Sequence, residues 1–165
     1  MTTSSAALAL SLLLVQVASS SNPCQAPEYR QFDFWIGEWV VQDAKGQRLG
    51  TSRVERIEAG CGIQENWTDR GGLTGRSINV YSPVSKTWRQ LWAASWGATL
   101  LLEGRLEDDQ MILAGDVLGR DGTPEKQRTT WSRVPSSGVR QLIERSRDGG
   151  RTWTVAFDGR YTAAK

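Results

Sequence analysis

From Glu38 onward, apolar and polar residues alternate in short runs, and each run ends in turn chemistry. The runs are Glu38–Asp43, Leu49–Glu58, Ile63–Thr68, Gly75–Tyr81, Thr87–Trp96, Thr99–Leu106, Met111–Leu118, Gln127–Val134, Val139–Arg145 and Thr152–Tyr161. Between them lie Lys45-Gly46, Arg70-Gly71-Gly72, Ser82-Pro83, Asp108-Asp109, Asp121-Gly122 and Asp148-Gly149-Gly150. Alternation with period two is the mark of a strand buried on one face. The pattern therefore predicts an all-β domain of about ten strands. Every connection is short, so neighbours in sequence become antiparallel neighbours in space. A meander of that length exposes two edges unless it closes, which predicts an up-and-down barrel. A short helical turn is expected around Tyr29–Trp35, ahead of the first strand.

The first stretch of chain has a different pattern. MTTSSAALALSLLLVQVASSS carries no charge and holds an apolar run from Ala6 to Ala18, too short to span a bilayer, followed by small residues. That is the form of a secretory signal, which places a signal peptide at 1–20, an N-terminal lead at 21–30 and the barrel at 31–165. The expected location is secreted, in the periplasm. Across the 165 residues the net charge is only +2, with Arg interleaved among Asp and Glu, so no basic stripe marks a nucleic-acid surface. Nor does any segment suit a membrane span. The two cysteines, Cys24 and Cys61, fit one disulfide in an oxidising compartment, or else two unrelated buried thiols.

Motifs narrow the architecture. Phe32-Asp33-Phe34-Trp35-Ile36-Gly37-Glu38-Trp39 resembles the opening of the calycin barrels, the lipocalins and fatty-acid-binding proteins, in which F-x-x-x-x-G-x-W leads from a short helix into the first strand. Gly37 and Trp39 match that motif, and the resemblance implies that Trp39 plugs the closed end against a basic residue from the last strand, here Arg160. A closer likeness is to a group of uncharacterised secreted bacterial proteins that open with FDFWxGEW. The shared features are Gly60-Cys61 with Glu65 and Trp67; Ser77, Asn79 and Tyr81; Trp88-Arg89-Gln90 with Trp92; and a terminal Ser146-Arg147-Asp148-Gly149-Gly150-Arg151-Thr152-Trp153 followed by Phe157-Asp158-Gly159 and Tyr161. That resemblance implies a calycin-like barrel and carries no activity with it.

Alternation within the strands selects candidate site residues. Trp88, Gln90 and Trp92 share one face of their strand, and an amide between indoles suits a ligand wall or, equally, a filled core. Glu65 and Trp67 share a face of the third strand; a buried Glu65 would need donors or a proton. Ser77, Asn79 and Tyr81 supply polar groups on the next strand. Glu65, Trp67, Ser77, Asn79, Tyr81, Trp88, Gln90 and Trp92 therefore form the candidate ligand site. The alternatives are a hydrogen-bond network that only fixes register, or a polar face turned to water.

Catalytic arrangements are scarce. There is no His, hence no Ser-His-Asp or Cys-His pair, no imidazole metal ligand and no His-held haem. No metal site or cofactor fingerprint is present. Ser146–Trp153 matches the Asp-box of sialidase propellers, S-x-D-x-G-x-T-W, but one copy cannot build a propeller. Asp148, Gly150 and Trp153 are read instead as parts of the last hairpin. The leading expectation is a secreted barrel that binds a small apolar or amphipathic molecule. An enzyme using Glu65 as acid or base and a non-catalytic envelope protein with a filled barrel are the alternatives.

Overall fold

The structure, a computed structural model, describes residues 22–119, 121–135 and 138–164. The expected signal segment at 1–20 lies outside them. Ten antiparallel strands close into one barrel, each bonded to its sequence neighbours: β1 (Gly37–Gln42), β2 (Arg48–Ile57), β3 (Gly62–Asp69), β4 (Thr74–Ser82), β5 (Thr87–Ala94), β6 (Thr99–Glu107), β7 (Gln110–Leu118), β8 (Pro124–Val134), β9 (Gly138–Ser146) and β10 (Thr154–Ala163). β10 pairs with β1 to complete the ring, so none of the ten described strands is left as an edge to template aggregation. All ten expected strands exist, with boundaries shifted by a few residues. β5 ends at Ala94 and leaves Trp96 in the turn, while β8 begins at Pro124, three residues early.

Before β1 the chain forms three short 3₁₀ turns, Pro23–Gln25, Pro27–Arg30 and Asp33–Trp35, in place of the one helical turn expected. Pro23 and Pro27 start the first two, where a missing N–H costs nothing. This segment plugs one end of the barrel. Phe32 and Trp35 are fully buried there with Trp88, Met111, Trp131, Val139 and Tyr161. The ring of Phe32 stacks on Trp35 at 5.2 Å between centroids and meets Trp88 and Trp131 edge-on at 5.6 and 5.1 Å. Aromatic burial on this scale is the main source of stability at that end.

A disulfide between Cys24 and Cys61 pins the plug to the connection between β2 and β3. Arg30 reinforces it by donating to the carbonyls of Cys24 and Gly60. Trp39 also sits at this end: its indole N–H donates to the Trp35 carbonyl at 2.9 Å, and Tyr161 packs edge-on against it at 6.4 Å. Arg160 does not take the role that the motif implied. Phe157, Gly159 and Tyr161 point inward, so alternation turns Arg160 out, where it is exposed.

The opposite end of the barrel is open. Its rim consists of the turns after β1, β3, β5, β7 and β9. The last of these is the Asp-box hairpin. Asp148 accepts from the backbone N–H groups of Arg151 and Thr152 at 3.0 and 2.9 Å and from the hydroxyls of Ser146 and Thr152. Led by the Thr152 hydroxyl, these donors hold its carboxyl well below the usual range. Gly149 and Gly150 take positive φ, 77° and 97°. Trp153 folds back, donating to the Gly150 carbonyl at 2.9 Å, and the Arg128 guanidinium lies 4.5 Å from its ring centroid. The motif acts here as a turn.

Candidate functional site

Between the plug and the open rim lies a cavity of about 330 Å³. Its upper wall is apolar: Leu49, Trp67, Trp92, Leu100, Ile143 and Phe157, with Trp96 at the rim. The floor is polar and buried, formed by Glu65, Gln90, Gln127, Thr129, Gln141 and Tyr161. Asp69 and Arg145 complete the lining near the mouth.

Small residues make room for the indoles. Glu65 and Trp67 both point inward from β3, and Trp67 lies over Gly50 of β2, where an added Cβ would come within 2.8 Å of two ring carbons. Trp92 covers Gly75 of β4 in the same way, at 2.1 Å from its nearest ring carbon. Phe157 meets Trp67 edge-on at 6.0 Å. Leu49 reaches the cavity through a bulge: Val41 pairs with Gly50 and Gln42 with Arg48, leaving Leu49 unpaired and turned inward.

The floor is held by a chain of hydrogen bonds across β2, β3, β4 and β5. Ser52 donates to Glu65 at 2.9 Å and Ser77 donates to its other oxygen at 3.5 Å. Asn79 donates to Ser77 at 3.0 Å and to the Ile63 carbonyl at 3.4 Å, and Gln90 donates to Asn79 at 2.9 Å. On the facing wall, Tyr161 donates to Gln141 and Gln127 donates to Thr129 at 3.2 Å. Burial pushes the Glu65 carboxyl up to about 7, against a smaller downward pull from the Ser52 and Ser77 hydroxyls. Burial, aided by the Glu65 charge, also raises the Tyr161 phenol well above its ordinary value.

The eight candidate residues divide by depth along the barrel axis. Glu65, Trp67, Gln90 and Trp92 line the cavity. Ser77 and Asn79 are buried behind it and orient Glu65 and Gln90. Trp88 belongs to the plugged end, where its indole donates to Gln31 at 3.1 Å. Tyr81 is there too, packed on Tyr29 and Trp88 at 5.2 and 6.0 Å. These last two do not contact the cavity, because alternation assigns a face but not a depth. Sequence reasoning missed the β8–β10 wall, namely Gln127, Thr129, Gln141, Ile143, Arg145, Phe157 and Tyr161. The signal was present in the spacing Gln141-x-Ile143-x-Arg145, whose alternate positions share a face.

Ion pairs frame the mouth. Glu125, buried, accepts from Arg145 at 3.4 Å and from Arg147 at 2.7 Å, and Arg147 also reaches Asp121 at 3.3 Å. Arg145 further donates to Gln127 at 3.3 Å. Asp69 is occupied by its own turn, accepting from the N–H groups of Gly71 and Leu73 at 2.7 and 2.9 Å. Among the described residues no cluster of acidic or cysteine side chains is suited to a metal ion, and no helix is long and apolar enough to cross a membrane.

Fold and site together define a class: an up-and-down barrel plugged at one end, with an aromatic-walled cavity open at the other. No protein-family model matches the chain, and no curated protein matches it.

Proposed function

We propose that this protein is an extracytoplasmic, calycin-like barrel that binds a small apolar or amphipathic molecule in the open cavity. One observation carries the reading: apolar walls converge on a buried polar floor in a space of about 330 Å³, the usual composition of a small-ligand site. At ~30 Å³ for each water-sized group, that space suits a ligand of about ten non-hydrogen atoms. The Cys24–Cys61 disulfide is compatible with an oxidising compartment, and the signal-like leader agrees with periplasmic export. The FDFWxGEW opening supports the calycin-like assignment.

The test is titration of the purified protein with 1-octanol, followed by tryptophan fluorescence. Trp67, Trp92 and Trp96 line the cavity, so occupancy should shift and quench their emission, and Trp92→Ala should reduce the response several-fold. An unchanged spectrum up to the solubility limit, with no small molecule retained in native mass spectrometry, would refute the reading.

A second reading is favoured by the Glu65 carboxyl, held near 7 inside a solvent-connected cavity beside Gln90 and Tyr161. A group in that range can both give and take a proton, so an acid–base enzyme acting on a small organic or carbohydrate substrate fits the same site. Turnover that survives Glu65→Gln unchanged would dismiss it.

A further inference from the structure

The polar groups on the cavity floor are oriented, and their orientation selects a ligand charge. Asn79 is fixed by donating its amide to the Ile63 carbonyl. Its own oxygen therefore faces Gln90 and receives the Gln90 amide N–H. That leaves the Gln90 carbonyl oxygen without a protein donor among the described residues. Beside it, among the described residues, Glu65 is bound only by two serine hydroxyls, with no Arg or Lys hydrogen-bonded to it. A buried carboxylate with no cationic partner is costly, and a bound cation is the direct remedy.

The surrounding charges point the same way. Tyr161 and Asp69 share the cavity with Glu65, and neither is positive at neutral pH. Among the described residues Arg145 is the one cationic side chain in the lining, and it is engaged by Glu125 and Gln127. The strands packed against Glu65 add only Ser52 and Val54 from β2 and Ser77 from β4 on the inward faces around it. The other donors on the floor, from Gln127, Thr129 and Gln141, are neutral. Above them the indoles of Trp67 and Trp92 offer faces that attract cations.

Resting on the ligand-binding reading above, we propose that the cavity selects a small organic cation, a primary ammonium whose N–H groups reach Glu65 and Gln90 while its apolar body lies against Trp67 and Trp92. A carboxylate ligand would meet repulsion from Glu65. A neutral alcohol would gain the apolar contacts and lose the ion pair.

Three probes with one tail separate these cases: octylammonium, 1-octanol and octanoate, titrated into the purified protein by calorimetry. At about pH 8, octylammonium should bind about tenfold or more tightly than octanol, and octanoate should bind weakest. An alkylammonium stays charged well above that pH, as a lysine side chain does. Between about pH 8 and pH 5.5 its affinity should fall by about tenfold as Glu65 takes up a proton, while octanol affinity holds. Glu65→Gln should erase the ammonium preference and keep octanol binding. The pH profile of the unmutated protein provides an arm that does not depend on how the variant folds. Octanol or octanoate binding as well as octylammonium, or a preference that persists in Glu65→Gln, would overturn the charge inference alone. Failure of all three probes to bind would overturn the ligand-binding reading as well.

Discussion

Replacing Glu65 with Gln should change how the stability of the barrel depends on pH. In the folded protein the carboxyl titrates at about 7, against an ordinary value of 4.5. Above 4.5 the unfolded chain releases this proton, while the folded protein retains it until about 7. The stability contributed by this retained proton is therefore lost as pH rises across that window, and is absent above it. At ~1.4 kcal/mol for each tenfold change in the ionisation constant, the total is about 3 kcal/mol. No imidazole or thiol titrates in the window, since the protein has no His and both cysteines are in the disulfide. The depressed carboxyls of Asp148, Asp158, Asp121 and Glu103 act with the opposite sign, stabilising the fold above their unfolded values and losing that effect in acid. Urea denaturation at a series of pH values measures the effect, with the midpoint falling at constant slope. Wild-type protein should be most stable near the lower limit of the window. Glu65→Gln should match it there and exceed it by up to about 3 kcal/mol at about pH 8. A flat wild-type profile between about 4.5 and 7 would refute the argument, as would a variant with the same slope as wild type.

Other substitutions test separate parts of the structure. Gly75→Ala places a Cβ within 2.1 Å of a Trp92 ring carbon; it should cost about 1–3 kcal/mol and alter the near-ultraviolet circular dichroism as the indole is displaced. Breaking the Cys24–Cys61 bond, with its separation of 37 residues, should lower stability by about 3–4 kcal/mol, and equal melting temperatures with and without reductant would contradict this. Asp148→Ala removes the acceptor that organises the last hairpin. It should lower the melting temperature while leaving octanol binding intact; selective loss of binding would return the motif to the functional site.

The alternation of apolar and polar residues made the strands legible, and the short turns made the closed meander legible. The same rule marked Glu65, Trp67, Gln90 and Trp92, where large or chemically distinctive side chains stand on one face. It failed on Trp88 and Tyr81 because depth along the axis is set by how strands stagger around the ring and by what fills each end. Leu49 was invisible for another reason. A bulge reverses its side, and no period-two pattern contains a bulge. Arg160 was assigned by motif against the parity of Gly159 and Tyr161, and parity prevailed.

An even number of strands in an up-and-down ring has a topological consequence for the chain ends. β1 starts and β10 finishes at the plugged end, where the backbone N–H of Ala164 donates to the Glu38 carbonyl at 2.9 Å and Asn22 donates to Ala59. Both ends of the described chain therefore emerge on the side away from the cavity. A label, a surface attachment or a fused domain at either end would leave the mouth facing solution, so the barrel can be immobilised without occluding its own entrance.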